Sequence, residues 1–227
     1  MTWGTRQASI KRRRFRVEWE LSIQITGRKG SYIREHELSC NRACDLALLR
    51  HPPVVAVAGS CYGRLDLPLA PGWEGWAVAQ AQHLAALAPE RIWTSPARRC
   101  LSVADALAGR LGLAVTPDER LLELDFGEWE GRAWDDVPRA AIDRWAGDPL
   151  GFRPPGGESG AALIGRVAGF AQMLTDAGRP CAVISHGGPL RLLPALLRGE
   201  PVDLLAASPG LGTLQVVRIE RGARRTG

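Results

Sequence analysis

Lysine is almost missing from this chain. Its two lysines, Lys11 and Lys29, both precede residue 45, and from there on positive charge is carried by arginine alone. Long apolar runs are missing too: none approaches 18 residues, so no segment reads as a membrane-spanning helix. Near the start there is no compact apolar core followed by a small-residue cleavage site, and the expected location is the cytoplasm. The five cysteines (Cys40, Cys44, Cys61, Cys100, Cys181) are odd in number and scattered, which fits reduced thiols better than a disulfide framework. No CxxC pair occurs and the four histidines are not clustered, so neither a metal site nor any other cofactor is expected. Internal repeats and low-complexity tracts are absent.

What is present divides near residue 44. Residues 1–44 hold ten Lys and Arg against four Asp and Glu, including the run Lys11-Arg12-Arg13-Arg14-Phe15-Arg16. Residues 45–227 hold nineteen against twenty, so the formal net charge of +5 belongs to the first segment. A basic run can engage nucleic acid or an anionic surface. Here no second basic patch supports it, and residues 1–44 are read as an extension outside the fold, a tail or translated upstream sequence.

From Asp45 short apolar runs alternate with amphipathic stretches, the pattern of an α/β domain. Strands are expected at 46–50, 91–95, 113–116 (ended by Pro117), 181–186 and 213–220. Helices are expected at 75–88, after Pro96, across Trp134 to Pro149 with Pro138 limiting where it begins, at 158–176, and after His186. In such sheets ligands gather at the carboxyl ends of the strands. Three of those ends carry chemistry: Arg50-His51, Ser95 leading to Arg98-Arg99, and His186-Gly187-Gly188. An Arg-His pair at one strand end is, alone, most often a surface turn.

Taken in order, the motifs resemble those of the histidine phosphatase superfamily, the phosphoglycerate-mutase-like fold. Arg50-His51 is similar to its strand-RH motif, Ser95-Pro96-Ala97-Arg98-Arg99-Cys100 to SPxxR, Leu121 through Gly131 to LxExxFGxWEG, Pro155 through Ser159 to PGGES, and Ser185-His186-Gly187 to its second histidine. The segments "CYGRLDLPL" and "ELDFGEWEGR" look most like α-ribazole phosphatases. The resemblance implies a three-layer α/β/α sandwich with a mostly parallel sheet over residues 45–227. It also implies a cytoplasmic phosphomonoesterase working through a phosphohistidine on a small phosphate ester, with α-ribazole-5′-phosphate of cobalamin synthesis as the implied substrate. A broad or sugar-phosphate phosphatase, a mutase, and a silent phosphate-binding module stay open as alternatives.

The resemblance also assigns roles. His51 would be the nucleophile, since a neutral imidazole offers a lone pair without prior activation. Arg50 and Arg99 would hold phosphate oxygens with their planar forks, and His186 and the Gly187 amide would add donors. Glu123 would protonate the leaving oxygen and then activate water, with Glu128 and Glu130 as rivals; Arg98 rivals Arg99, but Ser95 plus four falls on Arg99. Ser159 and Glu158 could touch substrate or cap the 158–176 helix, and capping is the preferred reading. The tryptophans are read mostly as core or rim residues, with Trp129 and Trp134 able to wall a pocket, and His83 as a plain helix residue. Two departures stand out. Pro52 replaces the usual glycine and lacks a backbone N–H, and Val57 stands where mutases tend to have asparagine.

If residues 1–43 lie outside the fold, a chain beginning at Cys44 will be soluble and keep its phosphatase activity. Loss of soluble protein, or of most of kcat/KM, would show that the segment packs on the domain.

Overall fold

The structure is a computed structural model, and it describes residues 43–56 and 58–220. The basic extension before residue 43 and Val57 lie outside the described residues. Five strands form one sheet: β1 (Cys44–Arg50), β2 (Ile92–Thr94), β3 (Val115–Pro117), β4 (Cys181–Ser185) and β5 (Leu214–Ile219). Their order is β3-β2-β4-β1-β5. The first four are mutually parallel, and β5 runs antiparallel to β1 along the edge. β1 begins at Cys44, paired with Ile219, one residue inside the segment read as the extension.

The period-two alternation of strand side chains builds two cores. Leu46 and Leu48 of β1, with Cys181 and Val183 of β4, face α4 (Gly160–Ala177) and α5 (Gly187–Leu197). Ala47 and Leu49, with Ala182 and Ile184, face α1 (Trp73–Leu87) and α2 (Arg98–Leu111). Helices therefore cover both faces of the sheet, and the near-continuous apolar character of β1 and β4 follows from burial on both sides. None of the described helices is long and apolar enough to cross a membrane.

Two expected elements differ. The single helix across residues 134–149 is a 3-10 turn, Trp134–Asp136, followed by α3 (Arg139–Gly147). Pro138 forces the break: Val137 before it is extended, as a residue preceding proline prefers, and Pro138 sits at the cap position of α3. Pro117 does not end β3 ahead of itself but is its last residue, opposite Thr94. β3 is an edge strand, where a missing N–H costs the ladder little. Ser159 does cap α4, its Oγ accepting from the Ala162 N–H at 3.3 Å. A third, aromatic cluster gathers Cys61, Trp129 and Val137 with Phe126, Trp134, Trp145 and Phe152.

Register sets up the site. Arg50 lies opposite Ser185 and Thr94 opposite Ile184, so β1, β2 and β4 end together. The next residues, His51, Ser95 and His186, consequently emerge at one rim.

Candidate active site

His51 is 1% exposed, although it belongs to a loop. Its backbone is held from both sides: its N–H donates to Ser185 O at 3.1 Å, and its carbonyl accepts from the Gly212 N–H at 3.1 Å. The ring's Nδ1 lies 2.8 Å from the Pro52 carbonyl. A carbonyl only accepts, so Nδ1 carries the proton and the Nε2 lone pair is free. Burial pushes the His51 pKa down to about 3, with the positive charges of Arg99 and Arg50 acting in the same direction and the Pro52 carbonyl opposing them. The ring is thus neutral at ordinary pH. Proline at position 52 removes an amide, yet its carbonyl fixes the tautomer.

His186 is wholly buried and packs edge-on against His51, with ring centroids 5.2 Å apart. Arg99 donates to its Nδ1 from Nε at 3.3 Å and from Nη2 at 3.1 Å. Nδ1 must therefore accept, leaving Nε2–H to donate to Ser95 Oγ at 2.7 Å. Burial, followed by the Arg99 charge, holds its pKa well below the usual imidazole range. Cys100 packs on the same ring, and burial raises its thiol to about 12, which makes it an inert packing group.

Arg99 is 1% exposed, whereas the neighbouring Arg98 side chain is 84% exposed, so the serine-plus-four register puts the buried cation where it was expected. Its fork has different partners from those anticipated. Nη1 donates to Leu65 O at 2.8 Å and Nη2 to Gly63 O at 2.5 Å, while the Nε edge faces His186. Arg50 donates Nη1 to Pro209 O at 2.6 Å, and its buried Nε has no partner. Gly187 lies against it: a Cβ there would come within 3.1 Å of the Arg50 Cζ.

The three glutamates separate cleanly. Glu123 reaches the first turn of α5, where its oxygens accept from the Gly188 N–H at 3.0 and 3.1 Å, and Oε1 also accepts from the Leu124 N–H at 3.0 Å. Glu130 is instead a clamp, accepting the N–H groups of Arg64, Leu65 and Phe126 and so tying the 63–65 loop to the 126 turn. Glu128 is exposed.

Several positioning residues were not legible beforehand. Glu158, read as a cap, forms a two-pronged pair with Arg166 at 2.8 Å on both contacts. Arg166 then donates to the carbonyls of Arg120, Leu122 and Glu123, which fixes the backbone from which Glu123 projects. The PGGES motif pointed at Glu158, but nothing local pointed at Arg166. Trp129 is buried within the aromatic cluster, Trp134 is half-buried on it, and His83 is exposed on α1. Among the described residues no group of three or more His, Cys, Asp or Glu could hold a metal ion.

Two neutral histidines thus stand among arginines at the sheet's carboxyl edge, and the Glu123 carboxylate rests on the first turn of α5. Residues 46–226 match the model of the histidine phosphatase superfamily, branch 1. The chain belongs to this superfamily. It is accordingly a phosphoric monoester hydrolase with the phosphoglycerate-mutase-like fold. Among its relatives, a glucosyl-3-phosphoglycerate phosphatase of Mycolicibacterium vanbaalenii is 35% identical over 199 residues, 82% of this chain and 88% of that protein. Phosphoserine phosphatase 1 of Hydrogenobacter thermophilus is 30% identical over 151 residues, 64% of this chain and 71% of that one. Among solved structures, a mycobacterial glucosyl-3-phosphoglycerate phosphatase superposes with a TM-score of 0.67 at 29% identity, covering 77% of this chain and 90% of that one. An Escherichia coli protein described as a putative α-ribazole-5′-P phosphatase superposes with a TM-score of 0.72 at 25% identity, covering 79% and 92%.

Two outcomes follow from this geometry. The unfolded chain protonates a free imidazole near its ordinary value of 6.5, whereas folded His51 resists protonation until about pH 3. Folding stability is therefore full above the unfolded value and declines as pH falls between the two, by up to about 1.4 kcal/mol per pH unit for each such histidine. Urea unfolding of wild type and His51→Gln across this range should show the shallower loss in the variant; equal slopes would mean that His51 is not held neutral. A Cβ at Gly188 would lie 2.2 Å from Glu123 Oε1, so Gly188→Ala should displace the carboxylate and lower kcat by at least about tenfold. Native kcat in that variant would show that this contact does not place Glu123.

Proposed function

We propose that the chain hydrolyses small alkyl phosphate monoesters through a phosphohistidine at His51. The observation that carries the reading is the buried, neutral imidazole whose Nδ1–H is committed to the Pro52 carbonyl, leaving Nε2 as a nucleophile. Nε2 attacks phosphorus, the P–O bond to the leaving group breaks, and the departing oxygen takes a proton from Glu123. Water then attacks the phosphohistidine while the Glu123 carboxylate accepts its proton, and breaking the P–N bond releases inorganic phosphate and regenerates His51. Arg50, with its unpartnered Nε, gathers the equatorial oxygens. The Gly187 amide lies beside it as a further donor, whereas His186, expected as a donor too, has its Nε2–H committed to Ser95 Oγ and its Nδ1 to Arg99, so it shapes the wall. Arg99 adds its positive charge and holds His186, as a cation embedded in the wall.

For the substrate, similarity to the glucosyl-3-phosphoglycerate phosphatase, 88% of whose length is matched, favours a phosphate ester on a short carboxylate-bearing backbone. Phosphoserine, named for the second relative, shares that feature. The α-ribazole-5′-phosphate reading is kept as the second one, because the fold superposes on the Escherichia coli protein with a TM-score of 0.72. In each case the leaving group is an alkoxide, which departs slowly unless it is protonated.

That requirement supplies the test. His51→Ala should abolish turnover, and acid-labile, base-stable phosphoenzyme should be trapped in wild type. Glu123→Gln should slow single-turnover phosphorylation from an alkyl ester far more than from nitrophenyl phosphate, whose phenolate needs little protonation. Glu128→Gln and Glu130→Gln should show no such contrast. Equal losses on both esters would remove Glu123 as the acid. Comparing kcat/KM for glucosyl-3-phosphoglycerate, phosphoserine and α-ribazole-5′-phosphate decides between the substrate readings, and an isomerised phosphorylated product in place of inorganic phosphate would identify a mutase.

A further inference from the structure

Arg191 lies on α5, beyond every motif discussed above, and faces back toward the site. Its Nη1 donates to the Leu204 carbonyl and its Nη2 to Ser208 Oγ. Its Nε is buried without a partner, as is that of Arg50. Burial lowers its pKa, and the charges that act on it are those of Glu123, Arg50 and Asp203. The segment it grips runs directly to Arg50. Ser208 Oγ lies 3.1 Å from where a Gly187 Cβ would be, and the next residue, Pro209, accepts Arg50 Nη1 at 2.6 Å.

We propose that Arg191 is a positioning residue: by pinning residues 204–208 it fixes the Pro209 carbonyl, and that carbonyl orients Arg50 so that the guanidinium Nε edge meets the substrate's phosphate. The chain of contacts runs from Arg191 to Ser208, through Pro209 to Arg50. Retaining a buried arginine N–H without an acceptor is costly. Folding alone gives no reason to bear that cost at two arginines joined through one loop. A fork that spends one arm on a fixed carbonyl is preorganised, because the guanidinium plane cannot rotate away from the anion. Arg191 touches neither the phosphate nor the leaving group in this scheme.

The inference rests on reading Arg50 as the phosphate-binding cation, and the test is chosen to separate the two. Inorganic phosphate binding by calorimetry is compared for wild type, Arg191→Met, Arg191→Lys and Ser208→Ala, below each variant's unfolding midpoint, with kcat/KM on nitrophenyl and alkyl esters. Arg191→Met should weaken phosphate binding and lower kcat/KM on both esters by the same factor, on the order of 10- to 100-fold. Ser208→Ala should shift both in the same direction by less, and Arg191→Lys should recover part of the loss, since an ammonium can reach one of the two acceptors. Native phosphate affinity in folded Arg191→Met, or in both Arg191→Lys and Ser208→Ala should the methionine variant not fold, would overturn the proposal. So would a loss confined to the alkyl ester, which would mean that Arg191 acts through Glu123. Failure to trap a phosphohistidine would sink the nucleophile assignment yet leave these binding results standing.

Discussion

The rest of the site depends on a buried positive charge with no carboxylate to neutralise it. Among the described residues Arg99 is partnered by the carbonyls of Gly63 and Leu65 and by the His186 imidazole, none of them anionic. Removing an ion from water costs several kcal/mol even after relaxation, so the surrounding backbone has to be arranged around it. The 63–65 loop turns its carbonyls inward for that reason. The Glu130 carboxylate gathers the outward-facing N–H groups of the same loop, and Asp66 accepts from the Arg98 N–H at the start of α2 at 3.1 Å. A net positive field is left at the rim where His51 and His186 stand. Burial is the main reason both imidazoles stay neutral, and the field acts in the same direction while favouring an anion at that rim.

Close backbone approach is the second constraint, and glycine is its instrument. Glu123 can reach the α5 amide only because position 188 has no Cβ. Gly127 takes a φ of +54°, and a Cβ there would lie 2.1 Å from the Pro155 carbonyl. That contact lets the turn carrying Phe126 press onto the PGGES loop, where the Glu128 N–H donates to Pro155 O at 2.9 Å and the Glu158 N–H to Asp125 O at 2.8 Å. The two loops are thereby zipped, and the Glu158–Arg166 pair locks the seam from below. The carboxylate at 123 is consequently held at its root by Arg166 and at its tip by α5, an arrangement that limits the motion of the proposed general acid.

Much of this was legible in the chain. The strand ends, the order of motifs and the choice of Arg99 over Arg98 follow from local signals: apolar runs two-sidedly buried, turn residues, and a four-residue offset that sets which side chain enters a helix's inner face. Pro52 illustrates a partial reading. Its missing N–H was evident from residue type, while the consequence that mattered, a carbonyl aimed at Nδ1, required the loop's actual path.

Which side chains stand at the rim of the sheet follows from local order, because strand alternation and the ends of apolar runs are properties of consecutive residues. Their partners at that rim follow from the folded chain alone. Glu130 became a clamp and Glu123 the carboxylate at α5, although both stand in one motif, and Arg166 joined the backbone behind Glu123 from a helix position carrying no signal of its own. The physical reason is that hydrogen-bond partners separated by dozens of residues leave no periodicity to read. Their pairing is set by how two helices and three loops close over the same buried charge.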